Sequence, residues 1–333
     1  MNHALLTYTR TRNLGDEIQS IAAWRLLPSV DDLADRDFVE EFQPKTRTKL
    51  ILNGWFSHRP HTFDIGTNVE PLFISFHVNP DPHASHNGRA FADVIRESPR
   101  LRDLLSRHGP IGARDEATAE FLNGLGIPAY TSGCLTLTLE PNRNIERGDT
   151  IVLADVAPSV ANHVRAITSR PIEIVRHVLG KYHTPPSAFA RAERVLHLYQ
   201  RAHLVITSRL HVAFPCLALG TPAMLVRSDF ASPRVSTHVQ LVNRFKDEEF
   251  PRIPASALEE PAENPTGYLR FRNDLIARTK SFLAESSPVA AAGAGKEASP
   301  SLAVSRVWKR SRVKNYAEYS WRWLRRSRVL RRA

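Results

Sequence analysis

Short apolar runs recur along this chain and alternate with longer stretches whose apolar positions repeat at helical spacing. The runs at Ala4–Thr9, Lys49–Asn53, Phe73–His77, Pro110–Ala113, Ala129–Ser132, Thr150–Ala154, Ile172–Arg176, Leu204–Thr207 and Ala223–Arg227 read as strands. Asp16–Leu27, Asp115–Leu125, Ala188–Arg201 and Val212–Leu219 read as helices between them, and Tyr268–Glu285 as a closing helix. Strands that alternate with helices form parallel sheets with covered faces, so the pattern predicts an α/β fold.

Near the middle, the polar and aperiodic Pro141–Asp149 reads as a linker that divides the body into two Rossmann-like halves, residues 1–148 and 149–285. Phe230–Thr266, with five prolines, reads as loop with short elements. Residues 286–305, rich in Ala, Gly, Ser and Pro, read as a flexible linker, and 306–333 as a basic amphipathic tail. A chain of 333 residues buries a substantial core without disulfide or metal staples.

Charge changes this picture in one respect. The formal net charge is +11, but from Pro288 to Ala333 twelve Lys and Arg face only two acids, Glu297 and Glu318. The remainder carries 33 basic and 32 acidic residues, so the body is nearly neutral and the tail holds the excess. The two cysteines, Cys134 and Cys216, are far apart in apolar context, which suits a reducing compartment and offers no zinc spacing. No window approaches the ~20 apolar residues of a membrane span, and the N-terminus lacks a signal-peptide pattern. The expected location is the cytoplasm.

Three segments share one arrangement, in which a strand ends, a turn follows and a helix begins with polar residues. They are Thr11–Ser20, Ile111–Leu122 and Ile206–Phe214. In open parallel sheets ligands bind at the carboxyl ends of strands, where helix N-termini attract anions. In the first segment Gly15 permits a tight turn, Asp16 suits a helix start, and Asn13 is an amide placed to orient a sugar hydroxyl. In the second, Arg114 precedes a helix whose positive end it opposes, which calls for either an internal carboxylate or an anionic ligand. In the third, Arg209 and His211 flank Leu210, which is expected to point into the core. A satisfied core histidine is the plain alternative for His211, but two cation-capable groups at one helix start repel unless an anion lies among them.

Other residues point less far. Cys216 reads as a small buried thiol beside Phe214 and Leu217 rather than a nucleophile. His58, His61, His77, His83 and His86 match no metal-ligand spacing. Neither G-x-G-x-x-G nor a P-loop is present. The tail interleaves Trp308, Tyr316, Tyr319, Trp321, Trp323 and Leu324 with arginines, a composition suited to an anionic membrane surface, with a solvated charge run or nucleic acid as the alternatives.

These segments together resemble the polysaccharide pyruvyl transferase family over most of residues 1 to 230. The resemblance lies in N-L-G-D-E at Asn13–Glu17, I-L-N-G-W-F at Ile51–Phe56, F-I-S-F-H at Phe73–His77 and G-A-R-D-E-A-T at Gly112–Thr118. It continues in S-G-C-L-T-L-T-L at Ser132–Leu139 and, most specifically, in I-T-S-R-L-H at Ile206–His211 with A-L-G-T-P after it. Many relatives carry Asp where this chain has Cys134. The resemblance implies a GT-B-like pair of α/β domains and transfer of pyruvate from phosphoenolpyruvate to two hydroxyls of a sugar, giving a ketal and phosphate. It implies donor binding by Arg209, Leu210 and Arg114, and catalysis by His211. The acceptor is expected against the N-terminal half, with Asn13, Asp16, Asn53, Trp55 and His77 as candidates. The scheme requires no metal or organic cofactor. A lipid-linked acceptor would give residues 306–333 their reason, as an anchor at the inner face of the cytoplasmic membrane. A nucleotide-sugar glycosyltransferase of the same fold and a non-catalytic sugar-binding protein at the membrane are the competing readings, and no nucleic acid partner is expected.

Overall fold

The computed structural model describes residues 1–181, 183–284 and 299–310. Its strands form two parallel sheets. The first contains β1 (Asn2–Thr7), β2 (Asp32–Asp35), β3 (Thr48–Phe56), β4 (Val69–Val78), β5 (Ile111–Ala113) and β6 (Ala129–Thr131), in the order β2-β1-β3-β4-β5-β6. The second contains β7 (Ile151–Ala154), β8 (Ile172–Val175), β9 (Leu204–Thr207), β10 (Ala223–Arg227) and β11 (Asn243–Lys246), in the order β11-β10-β9-β7-β8. Every pairing within both sheets is parallel, the architecture expected for two α/β halves.

The strand orders decide where ligands can go. In the first sheet the chain runs from β1 outward to β2 and then returns to the other side of β1, so the switch point lies between β1 and β3. In the second, the same reversal falls between β7 and β9. Crevices open at the carboxyl ends of strands at such points. The two are tied together by backbone. Asn13 forms an antiparallel bridge with Val178, the Leu14 N–H donates to the His177 carbonyl at 3.2 Å, and the Leu179 N–H donates to the Arg12 carbonyl at 2.7 Å.

One hydrophobic cluster runs through both halves. Leu14, Ile18 and Ala22 of the Leu14–Leu26 helix join it with Ala188, Val195 and Tyr199 of the Pro185–Arg201 helix and Val205 of β9. Each predicted strand is present within a few residues of its expected limits, whereas β2 and β11 have no counterpart in the apolar pattern. Both are four-residue edge strands, D-L-A-D and N-R-F-K, and charge on a short edge strand blocks further pairing while it erases the apolar signal.

Two elements near the end of the chain depart from expectation. The Leu269–Ala284 helix follows the second sheet in sequence but packs on the first half. Arg272 Nη1 donates to the carbonyls of Leu137 at 2.8 Å and Leu139 at 2.6 Å, and buried Lys49 of β3 donates to the helix-end carbonyls of Phe282 and Leu283. The composition of residues 286–305 predicts a flexible linker, yet Pro300–Arg310 is a helix. Its small apolar stripe, Ala303, Val304 and Val307, is buried in the shared cluster. Ser299 Oγ donates to Glu193 Oε1 at 2.7 Å, on the Pro185–Arg201 helix. Residues 286–298 of that linker and the aromatic residues of the tail beyond Arg310 lie outside the described residues.

Candidate functional site

A cleft of about 190 Å³ opens among segments that follow the carboxyl ends of strands from both sheets. It is lined by Asn13, Arg114, Arg209, Leu210, His211, Phe214, Arg227, Ser232, Val235 and His238. Five of the residues singled out from sequence therefore meet in one cleft, though they come from three segments that span nearly two hundred residues. Leu210, expected in the core, is half-buried in this cleft and packs only partly against the cluster of Cys134, Phe214 and Leu241.

Each cation is held by a different device. Arg209 is the N-cap of the Leu210–Leu219 helix, and its Nε donates to Asp155 Oδ2 across the β7/β9 switch point. The repulsion expected at this helix start is thus partly answered by an internal carboxylate. Asp155, directly after β7, has φ +50°, a conformation that Asp tolerates better than most residues, and its Oδ2 also accepts the His177 N–H at 3.2 Å. Arg227, at the end of β10, donates from Nη1 to the Ser208 carbonyl at 2.7 Å. Arg114 is only 5% exposed. Its Nε is 3.9 Å from Asp115 Oδ2, and its buried Nη1 has no hydrogen-bond partner among the described residues.

His211 occupies the first turn of the same helix, facing Gly15 across the gap between the halves. A Cβ added to Gly15 would lie 2.7 Å from both Cβ and Nδ1 of His211, closer than real carbon contacts come. Gly15 therefore serves close approach in addition to the helix start, where Asn13 Oδ1 accepts its N–H at 3.2 Å.

The cleft does not take in the rest of the N-terminal set. Asp16 is buried behind Asn13, accepting from Asn13 Nδ2 at 3.2 Å and Gln19 Nε2 at 3.4 Å, with Arg36 Nη1 at 3.9 Å. Asn53 is fully buried at the β1/β3 switch point, and neither of its amide atoms has a partner among the described residues. His77 is buried and shares a 2.6 Å hydrogen bond with Asp115. Burial alone would raise the Asp115 carboxyl, but the His77 bond and the charges of His77 and Arg114 hold it well below the usual carboxylate range. Trp55 is half-buried, with its ring centroid 5.4 Å from His77 and 5.7 Å from His58.

Asp155, Arg227, Ser232, Val235 and His238 carry no mark in the linear pattern. Asp155 and Arg227 obey the strand-end rule that singles out Arg209, so that rule applied to every strand of the second half finds them. Ser232–His238 spans the one-turn Pro233–Ser236 helix of the proline-rich segment, too short for periodicity to give a signal. Cys216 is buried, and burial pushes its thiol well up, as a structural cysteine requires.

Fold and site together define an α/β protein with a cationic cleft at the carboxyl ends of strands from two parallel sheets. The sequence model of the family described as polysaccharide pyruvyl transferase matches residues 13–229, and the chain belongs to that family. A comparison with curated proteins found no match. Among solved structures, the chain is similar to a functionally uncharacterised protein of Klebsiella pneumoniae, at 12% identity and TM-score 0.41, over 73% of this chain and 92% of that one. It is similar also to the Escherichia coli heptosyltransferase WaaC with ADP, at 11% identity and TM-score 0.32, over 83% and 100% of the respective chains. A UDP-GlcNAc 2-epimerase of Methanocaldococcus jannaschii in complex with UDP-GlcNAc and UDP is similar at 10% identity and TM-score 0.34, over 85% and 93%.

Proposed function

We propose that the cleft binds phosphoenolpyruvate and that the protein transfers its pyruvyl group to two hydroxyls of one sugar, forming a ketal and releasing inorganic phosphate. The observation that carries this reading is the convergence of Arg114 from the first half with Arg209 and Arg227 from the second, beside His211, in one small cleft. Phosphoenolpyruvate is compact and carries a phosphate and a carboxylate, so three guanidinium groups and a helix N-terminus match its charge. Guanidinium groups aimed at the departing phosphate also stabilise charge that develops in the transition state.

In the reaction a proton is delivered to the methylene carbon while the oxygen of one sugar hydroxyl bonds the adjacent carbon and gives up its own proton. The bond from that carbon to the phosphate oxygen then breaks, and the second hydroxyl closes the ketal as its proton leaves. His211 serves as the proton donor, a role open to an imidazole because its ring nitrogens both give and accept protons. Arg209, held by Asp155, and Arg114 bind the anionic groups, with Leu210 packing on the donor. The acceptor lies on the side of the N-terminal half. There Asn13 reaches the cleft wall, Asp16 and Asn53 form the buried polar floor behind it, and Trp55 beside His77 offers a ring to a sugar.

Among the described residues no helix is long and apolar enough to cross a membrane. Of the basic segment 306–333, the part beyond the packed Pro300–Arg310 helix, residues 311–333, acts as a peripheral anchor on an anionic membrane and brings the cytoplasmic enzyme to a lipid-linked acceptor.

The decisive assay incubates the protein with phosphoenolpyruvate and a panel of sugars and follows phosphate release. Release that depends on both supports pyruvyl transfer. Turnover only with a nucleotide sugar, or none with either donor, rejects it.

A further inference from the structure

The cleft residue Arg114 is gripped on both sides by a segment from the opposite half of the molecule. The Glu116–Gly124 helix begins directly after it and needs acceptors for its first N–H groups. Its N-cap Asp115 takes the Thr118 N–H at 3.0 Å, and Thr237 Oγ1, from the other half, takes the Glu116 N–H at 3.1 Å. One residue further on, His238 Nε2 lies 2.7 Å from the Arg114 carbonyl. A carbonyl only accepts, so Nε2 carries the proton of this bond. Burial, and then the charge of Arg114, bring the His238 pKa down to about 4, so the ring is neutral near pH 7. The ring stands edge-on to Phe214 at 5.3 Å and to Phe271 at 6.1 Å, which fixes its plane.

We infer that Thr237 and His238 are positioning residues. By bonding the Arg114 carbonyl and the Glu116 N–H, they set the distance between Arg114 on one wall of the cleft and Arg209 and Arg227 on the other. Three observations carry this beyond a structural contact. Thr237 and His238 are 5% and 1% exposed, so water does not compete for these bonds. The Arg114 guanidinium has little side-chain support of its own, with Nη1 unpartnered and Nε 3.9 Å from Asp115, so its place depends on the clamped backbone. Ser232 and Val235 of the same segment line the cleft, so one stretch of chain both forms the wall and holds the opposing arginine. The clamp matches the cleft to a donor small enough to touch both walls at once.

This inference rests on reading the cleft as the donor site, and two measurements keep the two claims apart. In steady-state kinetics His238→Phe preserves the aromatic packing and removes the donor, whereas His238→Gln keeps a side-chain N–H. His238→Phe should raise KM for phosphoenolpyruvate about tenfold, roughly the worth of one buried hydrogen bond. Its kcat should stay within about threefold of the wild type, and His238→Gln should recover most of the loss. Equal KM in all three proteins, or a Gln variant no better than Phe, overturns the proposal.

The second measurement needs no substrate. Phenylglyoxal labelling of arginines, read by peptide mass spectrometry, should leave Arg114 protected in the wild type. The same residue should become reactive in His238→Phe and in Thr237→Val, the second variant guarding against a fold-wide effect of the first. Unchanged protection in both variants overturns the clamp whatever the donor is. Absence of wild-type turnover with phosphoenolpyruvate rejects the donor reading alone, and the labelling result still decides the clamp.

Discussion

Gly15 and His211 face each other so closely that no side chain fits between them, since an added Cβ would lie 2.7 Å from His211 Nδ1. The first sheet thereby limits where the imidazole can lie. Gly15→Ala must push the His211 ring or the helix start aside, at a cost of about 1–3 kcal/mol for overpacking. Displacement of a reacting group by about 1 Å can cost ~100-fold in rate. The expected outcome is a large fall in kcat with a modest fall in Tm, and kcat within twofold of the wild type would disprove the positional role. His211→Ala should lose about 10²- to 10⁴-fold in kcat, the usual worth of a general acid or base.

Asp155 holds Arg209 by its Nε edge. Asp155→Asn retains a residue tolerant of positive φ but removes the charge, and we expect KM for phosphoenolpyruvate to rise about tenfold, as for a lost charge-assisted bond. Asp155→Ala should add ~1 kcal/mol or more of destabilisation, because Ala does not suit φ +50°. Equal Tm for the two variants would show that the backbone conformation costs nothing.

His177 is fully buried, and neither ring nitrogen has a hydrogen-bond partner among the described residues. Burial, and then the charge of Arg209, lower its pKa to about 3. In the unfolded chain it protonates near pH 6.5. Between about pH 3 and pH 6.5 the unfolded state therefore holds the extra proton, and stability falls as pH is lowered through that window. His238, with a pKa of about 4, adds to the same loss. His177→Phe, which can keep the stacking on Tyr199, should flatten the decline of Tm between pH 6.5 and 4. A decline as steep as that of the wild type would count against this origin.

The packed Pro300–Arg310 helix moves the proper truncation point. Cutting at Ser305 would remove Val307 from the shared core, whereas deleting residues 311–333 leaves that helix whole. The shorter deletion should abolish sedimentation with vesicles of anionic lipid and leave turnover on a soluble acceptor unchanged. Persistent vesicle binding would remove the membrane role from those residues.

The strands of both sheets that carry apolar runs, and the helices at Leu14–Leu26, Glu116–Gly124, Pro185–Arg201 and Leu210–Leu219, were legible because burial on a covered face imposes apolar composition locally, whereas the helices at Phe91–Glu97, Pro99–Arg107 and Pro158–Ile167 were not singled out. Edge strands β2 and β11 escaped, since an edge needs charge more than it needs apolar side chains. The Pro300–Arg310 helix escaped because Ala and Val in a Pro/Ser context resemble a linker until a partner face is known. For the cleft, Arg209, His211 and Arg114 could be singled out from charge placed against a helix start, a cost visible in a few adjacent residues.

The sequence by itself therefore determined the class of fold, the family, and the strand ends at which cations wait. Tertiary structure alone decided that those ends face one another, that Asp155 answers Arg209, that Gly15 makes room for His211, and that Thr237 and His238 hold Arg114. The physical reason is distance along the chain. A helix start or a strand records its needs in neighbouring residues, whereas a hydrogen bond between positions 114 and 238 leaves no trace in either segment until the two sheets are packed.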